Sequence, residues 1–342
     1  MTAAVAALRR DTVQAAGAFA AGLLLLVIFL ALSGFAVGPA LDALWNGAFG
    51  SWYNFTSAVL VRGTPLALLG LAFMLGSRSG ALNIGMEGQF AVGAIGATAV
   101  ALHCGSLTPL LAVTLTLLAG AAGGLLWIAV PVWLRVRHGI TEVISTLLLT
   151  FVGYAAVSYA ITGPLQEPAR VYPESALIPV ATRLPHLWSG SRLHAGFLVV
   201  VVITAAMAFL LNRSRWGVAI RATGTAPRAA ALVGRINVTR VSAVALLASG
   251  GLAGLGGGME VSGVSYALYQ NLSPGYGYTA IAVALLGREQ PWLVFLTGIL
   301  FGALEAGGAA MQRDAGIPAV AVQVVEGVVI LVMLLTARRR TA

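Results

Sequence analysis

The sequence has 342 residues, of which 59% are hydrophobic and only 9% charged; soluble domains carry about 25% charged residues, so a water-soluble surface is excluded. Net charge is +9 and every basic residue is arginine, but the arginines fall between apolar runs, which reads as a membrane-orientation signal rather than a nucleic-acid surface. One cysteine, Cys104, excludes a disulfide framework, and His103, His138, His186 and His194 show no ligand spacing near carboxylates, so no metal site is expected.

Backbone inside lipid must satisfy its own hydrogen bonds, so long apolar runs without strand alternation predict helices. The first follows Arg9 and Arg10. At about 17–37 it exceeds the ~7–15 residues of a signal-peptide core, and it is read as an uncleaved first helix. The remaining spans are expected at about 63–77, 86–104, 109–134, 141–162, 194–212, 241–260, 276–287, 291–311 and 318–336, making ten in a single 1–342 domain. The second and eighth are short. With both termini inside, fifteen arginines lie in cytoplasmic segments and five outside, the asymmetry of a consistent orientation. Two connections exceed a turn: an outer one at 163–193, rich in Pro and aromatics, and an inner one at 213–240 with six arginines and no acid. Gly250, Gly254 and Gly258, Gly120 with Gly124, and Gly298 with Gly302 repeat every fourth residue, a spacing that lets helix backbones approach closely within a bundle.

Three motifs carry functional expectations. Asn83-Ile84-Gly85-Met86-Glu87-Gly88-Gln89 opens the third span and suggests a broken helix. Glu87 would cost ~2.5–3.5 kcal/mol at a bilayer centre, so it either lines a pathway or sits in a first helical turn that Asn83 caps. Leu272-Ser273-Pro274-Gly275-Tyr276-Gly277-Tyr278 opens the eighth span in the same way. The topology puts the first break at the inner face and the second at the outer. Paired breaks in oppositely oriented halves, here a weak inverted repeat, point to a transport path. Asn83, Glu87, Gln89, Ser273, Tyr276 and Tyr278 are its candidate residues. In the inner loop, Thr225 suits an N-cap, Pro227 a first turn and Gly234 a C′ position, predicting a two-turn helix near 226–234. So short a helix needs something to dock against. Other polar candidates are Glu142, Glu260, Glu305, Glu326, Gln312 and Gln323, which should face the bundle interior. Tyr266, Tyr269, Gln270 and Asn271 could touch solute or partner, or form an interfacial belt.

These residues resemble permeases of ABC importers of the branched-chain amino acid/ribose type, in the branch serving nucleosides and simple sugars. The match rests on Asn83–Gln89, on Glu142–Thr150 followed by Gly163-Pro164-Leu165, on Ala226–Gly234, on Ser273–Gly287, and on Met311-Gln312-Arg313 with Gly316-Ile317-Pro318. The resemblance implies an all-α type II importer fold of about ten transmembrane helices in a bacterial inner membrane. It implies a second, related permease chain, a cytoplasmic ATPase that holds the ATP and magnesium, and an external substrate-binding lipoprotein. It makes Pro227, Arg228, Ala229, Ala230 and Gly234 the coupling helix that meets the ATPase. Arg228 departs from the acidic or polar residue that relatives often carry there. The chain has no lysine and no glycine-rich phosphate loop, so it is expected to bind no nucleotide and to be no enzyme. The implied cargo is a small neutral solute, a nucleoside first, with a ribose-type sugar or another small heterocycle as alternatives. A secondary transporter or channel remains the competing class; His-Glu-x-x-His and Gly-x-Ser-x-Gly motifs are absent, which argues against an intramembrane enzyme.

Overall fold

A helix in lipid gains little by hiding leucine, because the lipid is as apolar as the side chain. Helices there associate through surfaces that let backbones touch. The computed structural model of this chain follows that rule. It describes residues 24–318 together with 320, 321, 323, 324 and 327. In chain order the helices are α1 (Val37–Phe49), α2 (Trp52–Arg78), α3 (Met86–Ala101), α4 (Pro109–His138), α5 (Glu142–Thr162), α6 (Gly196–Arg213), α7 (Arg215–Thr225), α8 (Pro227–Leu232), α9 (Val238–Ser265), α10 (Tyr276–Leu286) and α11 (Pro291–Asp314). Among the described residues, α2, α4, α5, α6, α9 and α11 are long and apolar enough to cross a membrane, and α10 is a shorter apolar helix.

The chain divides into two compact units, Gly63–Ile299 and the two ends, Met1–Arg62 with Leu300–Ala342. In the larger unit α3 is the enclosed element, buried along most of its length against α4, α5 and α9. Glycine makes this possible. A Cβ on Gly124 would overlap the carbonyl of Gly250, and one on Gly257 would overlap the carbonyl of Phe90. The repeats read from the sequence are therefore contacts within this chain: Gly120 and Gly124 of α4 face Gly250, Gly254 and Gly258 of α9, and Gly298 abuts Ala67. The outward faces are large and apolar, with Leu110, Leu126, Trp133, Val202 and Phe209 exposed, as a lipid boundary requires.

Helix ends follow local chemistry. Gly139, at φ +66°, closes α4 with N–H bonds from Gly139 to Arg135 O and from Ile140 to Leu134 O. Arg135, Arg137 and His138 occupy that last turn, where the helix dipole favours cations. Both α2 and α9 contain a π turn, at Phe55–Val59 and Val261–Ser265. In each, hydroxyls take up loosened carbonyls, Thr56 to Trp52 O and Ser262 to Gly258 O.

In the smaller unit, α1 packs on α11, Gly47 against Ala310 and Gly307 against Leu44. The sequence reading had no helix here. Its first span, about 17–37, is helical over the described residues 24–32 and ends early, turning at Ser33-Gly34, with Gly34 at φ +77° and the Phe35 N–H returning to Leu30 O. Residues 17–23 of that span, and most of the tenth at about 318–336, lie outside the described residues. The short second span becomes α2, of 27 residues, because the π turn carries the helix past Arg62.

The glycine seam gives a testable consequence. Gly124→Val should disrupt the α4–α9 contact by ~1–3 kcal/mol, lowering the thermal midpoint in detergent by roughly 3–10 °C. Gly251→Ala is the control, since the nearest atom to its Cβ would be Ala121 O at 3.7 Å, and it should leave the midpoint unchanged.

Candidate functional site

After α2 the chain turns at Gly80, at φ +76°, and runs back through residues 81–85 to start α3. Asn83 does not cap that helix. It is fully buried, and its side chain forms a reciprocal pair with Gln89: Asn83 Nδ2 donates to Gln89 Oε1 at 2.7 Å, and Gln89 Nε2 donates to Asn83 Oδ1 at 2.9 Å. Asn83 Nδ2 also donates to Ser249 Oγ on α9 at 2.9 Å. Gly85 holds the N-cap position with no side-chain cap. Glu87 lies in the first turn, as expected, and is 1% exposed.

The second break is built by Ser273 and two glycines. Ser273 Oγ accepts the N–H groups of Gly275 and Tyr276 at 3.1 and 3.0 Å, satisfying the start of α10. Gly275 sits at φ +103°, which a side chain would resist. The Gly277 N–H then donates to Glu87 Oε2 at 2.6 Å, and a Cβ on Gly277 would lie 2.5 Å from the Glu87 nitrogen. The two breaks are thus in direct contact, which corrects the expectation that they lie at opposite faces. That expectation assumed each motif sat at a span boundary. Instead both helices begin inside the protein, where another helix supplies the missing partners.

Around this junction lies a cavity of about 20 Å³ lined by Glu87, Phe90, Tyr154, Tyr269, Gln270, Asn271 and Ser273 with several apolar side chains. That is room for about one water. Of the expected pathway residues, Glu87 and Ser273 line it. Tyr276 is buried with its ring edge-on to Phe90 at 6.2 Å. Tyr278 faces the Tyr154 hydroxyl. Asn83 and Gln89 are locked to each other away from the cavity lining. Tyr154 is the residue that sequence reasoning missed: it lies mid-helix in an apolar run, with no local motif to mark it.

The 163–193 segment folds down over the end of α9. The N–H groups of Ser175, Ile178 and Leu184 donate to the carbonyls of Leu268, Tyr266 and Ser262 at 2.8, 2.9 and 2.8 Å. Arg183 lies over the Tyr266 ring, 4.6 Å from its centroid, while its Nε and Nη2 donate to Ile178 O. His186 Nε2 lies 3.2 Å from the Tyr266 hydroxyl. Tyr266, at φ +59°, is thus the anchor of this strap, and Tyr269 to Asn271 follow it into the cavity wall.

The 213–240 loop holds two helices, not one. Ser214 caps α7, and Gly224 near its end abuts the Arg78 carbonyl. Thr225 ends α7 rather than capping the next helix, its hydroxyl donating to Arg221 O; Ala226 is the N-cap of α8. Pro227 opens α8 as expected. Gly234 lies beyond it without the left-handed backbone, which Arg235 adopts instead at φ +48°. Ala230 is buried against this chain, whereas Arg228, Ala229, Leu232 and Val233 are exposed, the last two at 82% and 86%.

Among the other polar candidates, Glu142 accepts the Leu82 N–H at 3.1 Å and pairs with Arg135 at 3.1 Å. Glu260 is buried. Gln312 and Gln323 are exposed, against the expectation that they face inward, and Glu326 lies outside the described residues. Among the described residues no group of three His, Cys, Asp or Glu could hold a metal.

Residues 55–337 match the family described as the branched-chain amino acid transport system permease component. The chain is 35% identical to the glucose ABC transporter permease protein TsgB13 of Haloferax volcanii, over 95% of this chain and 89% of that protein. It is 34% identical to the guanosine ABC transporter permease protein NupP of Bacillus subtilis, over 91% and 88%. It is 29% identical to the nucleoside ABC transporter permease protein NupB of Lactococcus lactis, over 84% and 81%. A second permease protein from each of these organisms also matches, at 26–28% identity. No solved structure matches the chain.

The strap makes its own prediction. Arg183→Ala removes a cation–π contact of ~0.5–1 kcal/mol and hydrogen bonds worth ~1 kcal/mol. Amide exchange at Ile178 and Leu184 should quicken by about 10-fold. The Gly277 amide, held by Glu87, should not change.

Proposed function

The chain belongs to the permease family of branched-chain amino acid transport systems, and from that membership we propose that it forms the path of an ABC importer for a small neutral solute of the nucleoside class. The family removes the secondary-transporter and channel reading. The observation that carries the path is the junction of α3 and α10. Two helices that start inside the protein meet beside a cavity lined by the Glu87 carboxyl, the hydroxyl side chains of Ser273 and Tyr154, the amide side chains of Gln270 and Asn271, and aromatic and aliphatic groups, a composition suited to a small polar solute with a flat apolar face. Guanosine and nucleoside permeases among the relatives favour a nucleoside. A glucose permease at 35% identity keeps a neutral sugar as the second reading.

In this reading both termini are cytoplasmic, so the 213–240 loop faces the ATPase and the 163–193 strap faces the binding lipoprotein. A related permease chain completes the pathway, in line with the two permease proteins found in each relative's organism. The ATPase would meet α8 through Ala229, Leu232 and Val233. Two large aliphatic side chains, each more than four-fifths exposed at the end of a six-residue helix, suit a protein contact better than water. Arg228 adds a cation to that surface. ATP and magnesium belong to the partner.

Two measurements test this. Solute uptake into vesicles holding the assembled importer should require ATP and saturate with guanosine, and the purified chain alone should hydrolyse no ATP. Leu232→Glu with Val233→Glu should abolish uptake and release the ATPase on co-purification, while the chain still inserts; burying the two charges would cost several kcal/mol. Ala230→Glu is a poor probe, because Ala230 packs within this chain. Normal uptake in the double variant would remove α8 from the contact.

A further inference from the structure

Glu87 is a carboxylate with one oxygen engaged and one idle. Its Oε2 takes the Gly277 N–H at 2.6 Å. Its Oε1 is buried and has no hydrogen-bond partner. The other donors beside the carboxylate are the hydroxyls of Ser273 and Tyr154 and the backbone at Gly275, set too far or too oblique to close a hydrogen bond on Oε1. None of them is cationic. The first turns of α3 and α10 both begin beside it. The residue lines the cavity, whose other walls include the rings of Phe90, Tyr154 and Tyr269.

A buried acceptor left unpaired is costly. A solute that brings a donor removes the cost, and one that brings an acceptor adds repulsion. The deficit at Oε1 is therefore a specificity element. The aromatic walls select a flat partner, since rings stack on planar groups. Resting on the proposed transport function, we infer that Glu87 is the solute-reading residue of the pathway and that it accepts the N–H edge of a planar heterocycle. A guanine-type base fits best: its ring N–H can donate to Oε1, while its adjacent amino group can share Oε2, on the lone pair that the Gly277 N–H leaves. A hypoxanthine base offers one donor there. An adenine base places a ring acceptor against Oε1 and fits worst. The present cavity admits about one water, so the base enters when the segment from Tyr269 to Gly275 moves away. That segment has left-handed backbone at Asn271, φ +58°, and Gly275, φ +103°.

The test uses the whole importer in membrane vesicles, with guanosine, inosine, adenosine and glucose as the probes. Glu87→Gln changes the charge and one acceptor while keeping the shape. The binding protein is the same in both preparations, so the ratio of variant to native uptake, taken solute by solute, isolates this residue. Guanosine uptake should fall about 10-fold or more, chiefly through a raised KM, and inosine less. Adenosine and any glucose uptake should change by less than about threefold, because a Gln amide can donate to the adenine acceptor. Glu87→Asp, which withdraws the carboxylate by one methylene but keeps its charge, should reproduce the guanosine loss. Equal losses for all solutes in both variants, or failure of both to assemble with the ATPase, would assign Glu87 a structural role and overturn the inference alone. Native vesicles that carry glucose and none of the nucleosides would overturn the nucleoside reading and the inference with it.

Discussion

The bond from the Gly277 N–H to the Glu87 carboxylate holds together two helices that neither lipid nor water could complete. Each helix start leaves several N–H groups without partners, and inside a membrane such groups cost several kcal/mol each. Here α3 and α10 start against each other. Glu87 serves the α10 backbone, and Ser273 serves the turn before it. The contact needs glycine at 277, since any Cβ would collide with the Glu87 backbone. A single carboxylate thus stabilises an interruption and keeps one oxygen unengaged at the cavity.

The rest of the larger unit packs around that junction. α3 has 16 residues, ~24 Å at 1.5 Å per residue, short of a ~30 Å hydrocarbon core. It survives because α4, α5 and α9 enclose it. Close backbone contact at Gly93, Gly124, Gly254 and Gly257 supplies dispersion where the hydrophobic effect supplies little. Asn83, Gln89 and Ser249 add a buried amide and hydroxyl set in which the Asn83 amide is bonded at both its oxygen and its nitrogen. Satisfied polar networks of this kind fix one arrangement.

The membrane class, the middle spans and the two interruptions were legible because each is a local signal. Apolar run length marks α4, α5 and α6, and Gly with Pro or Asn marks the breaks before Met86 and Tyr276. The meeting of those breaks was not legible, since Glu87 and Gly277 are far apart in the chain and only packing joins them. Tyr154 was invisible for the same reason. α1 was missed because its 13 residues merged with the preceding apolar run, although Gly34 and Pro39 mark the division. α7 was missed because a basic, weakly apolar stretch reads as loop until Gly224 is seen seated on the Arg78 carbonyl.

That seat bears on mechanism. From Gly224 the chain passes directly into α8, the proposed ATPase contact. From Arg78 it passes through the Gly80 hairpin into α3 and Glu87. Ser77 at the end of α2 is hydrogen-bonded to Glu289 in the turn that ends α10, and that turn places Arg288 and Glu289 both at φ +52°. The second interrupted helix, α10, is therefore tied at both ends, through Glu87 at its start and through the end of α2 after its last turn. A displacement of α7 and α8 would reach both helices through one set of backbone contacts. Coupling of this kind needs an element with two arrangements that both sites bias. The nearly closed cavity at Glu87 would be one of them, and the proposed displacement of the segment from Tyr269 to Gly275 would give the other. Solute at Glu87 and a partner on α8 would then act on the same pair of helices, so binding at either would alter affinity at the other by an equal factor.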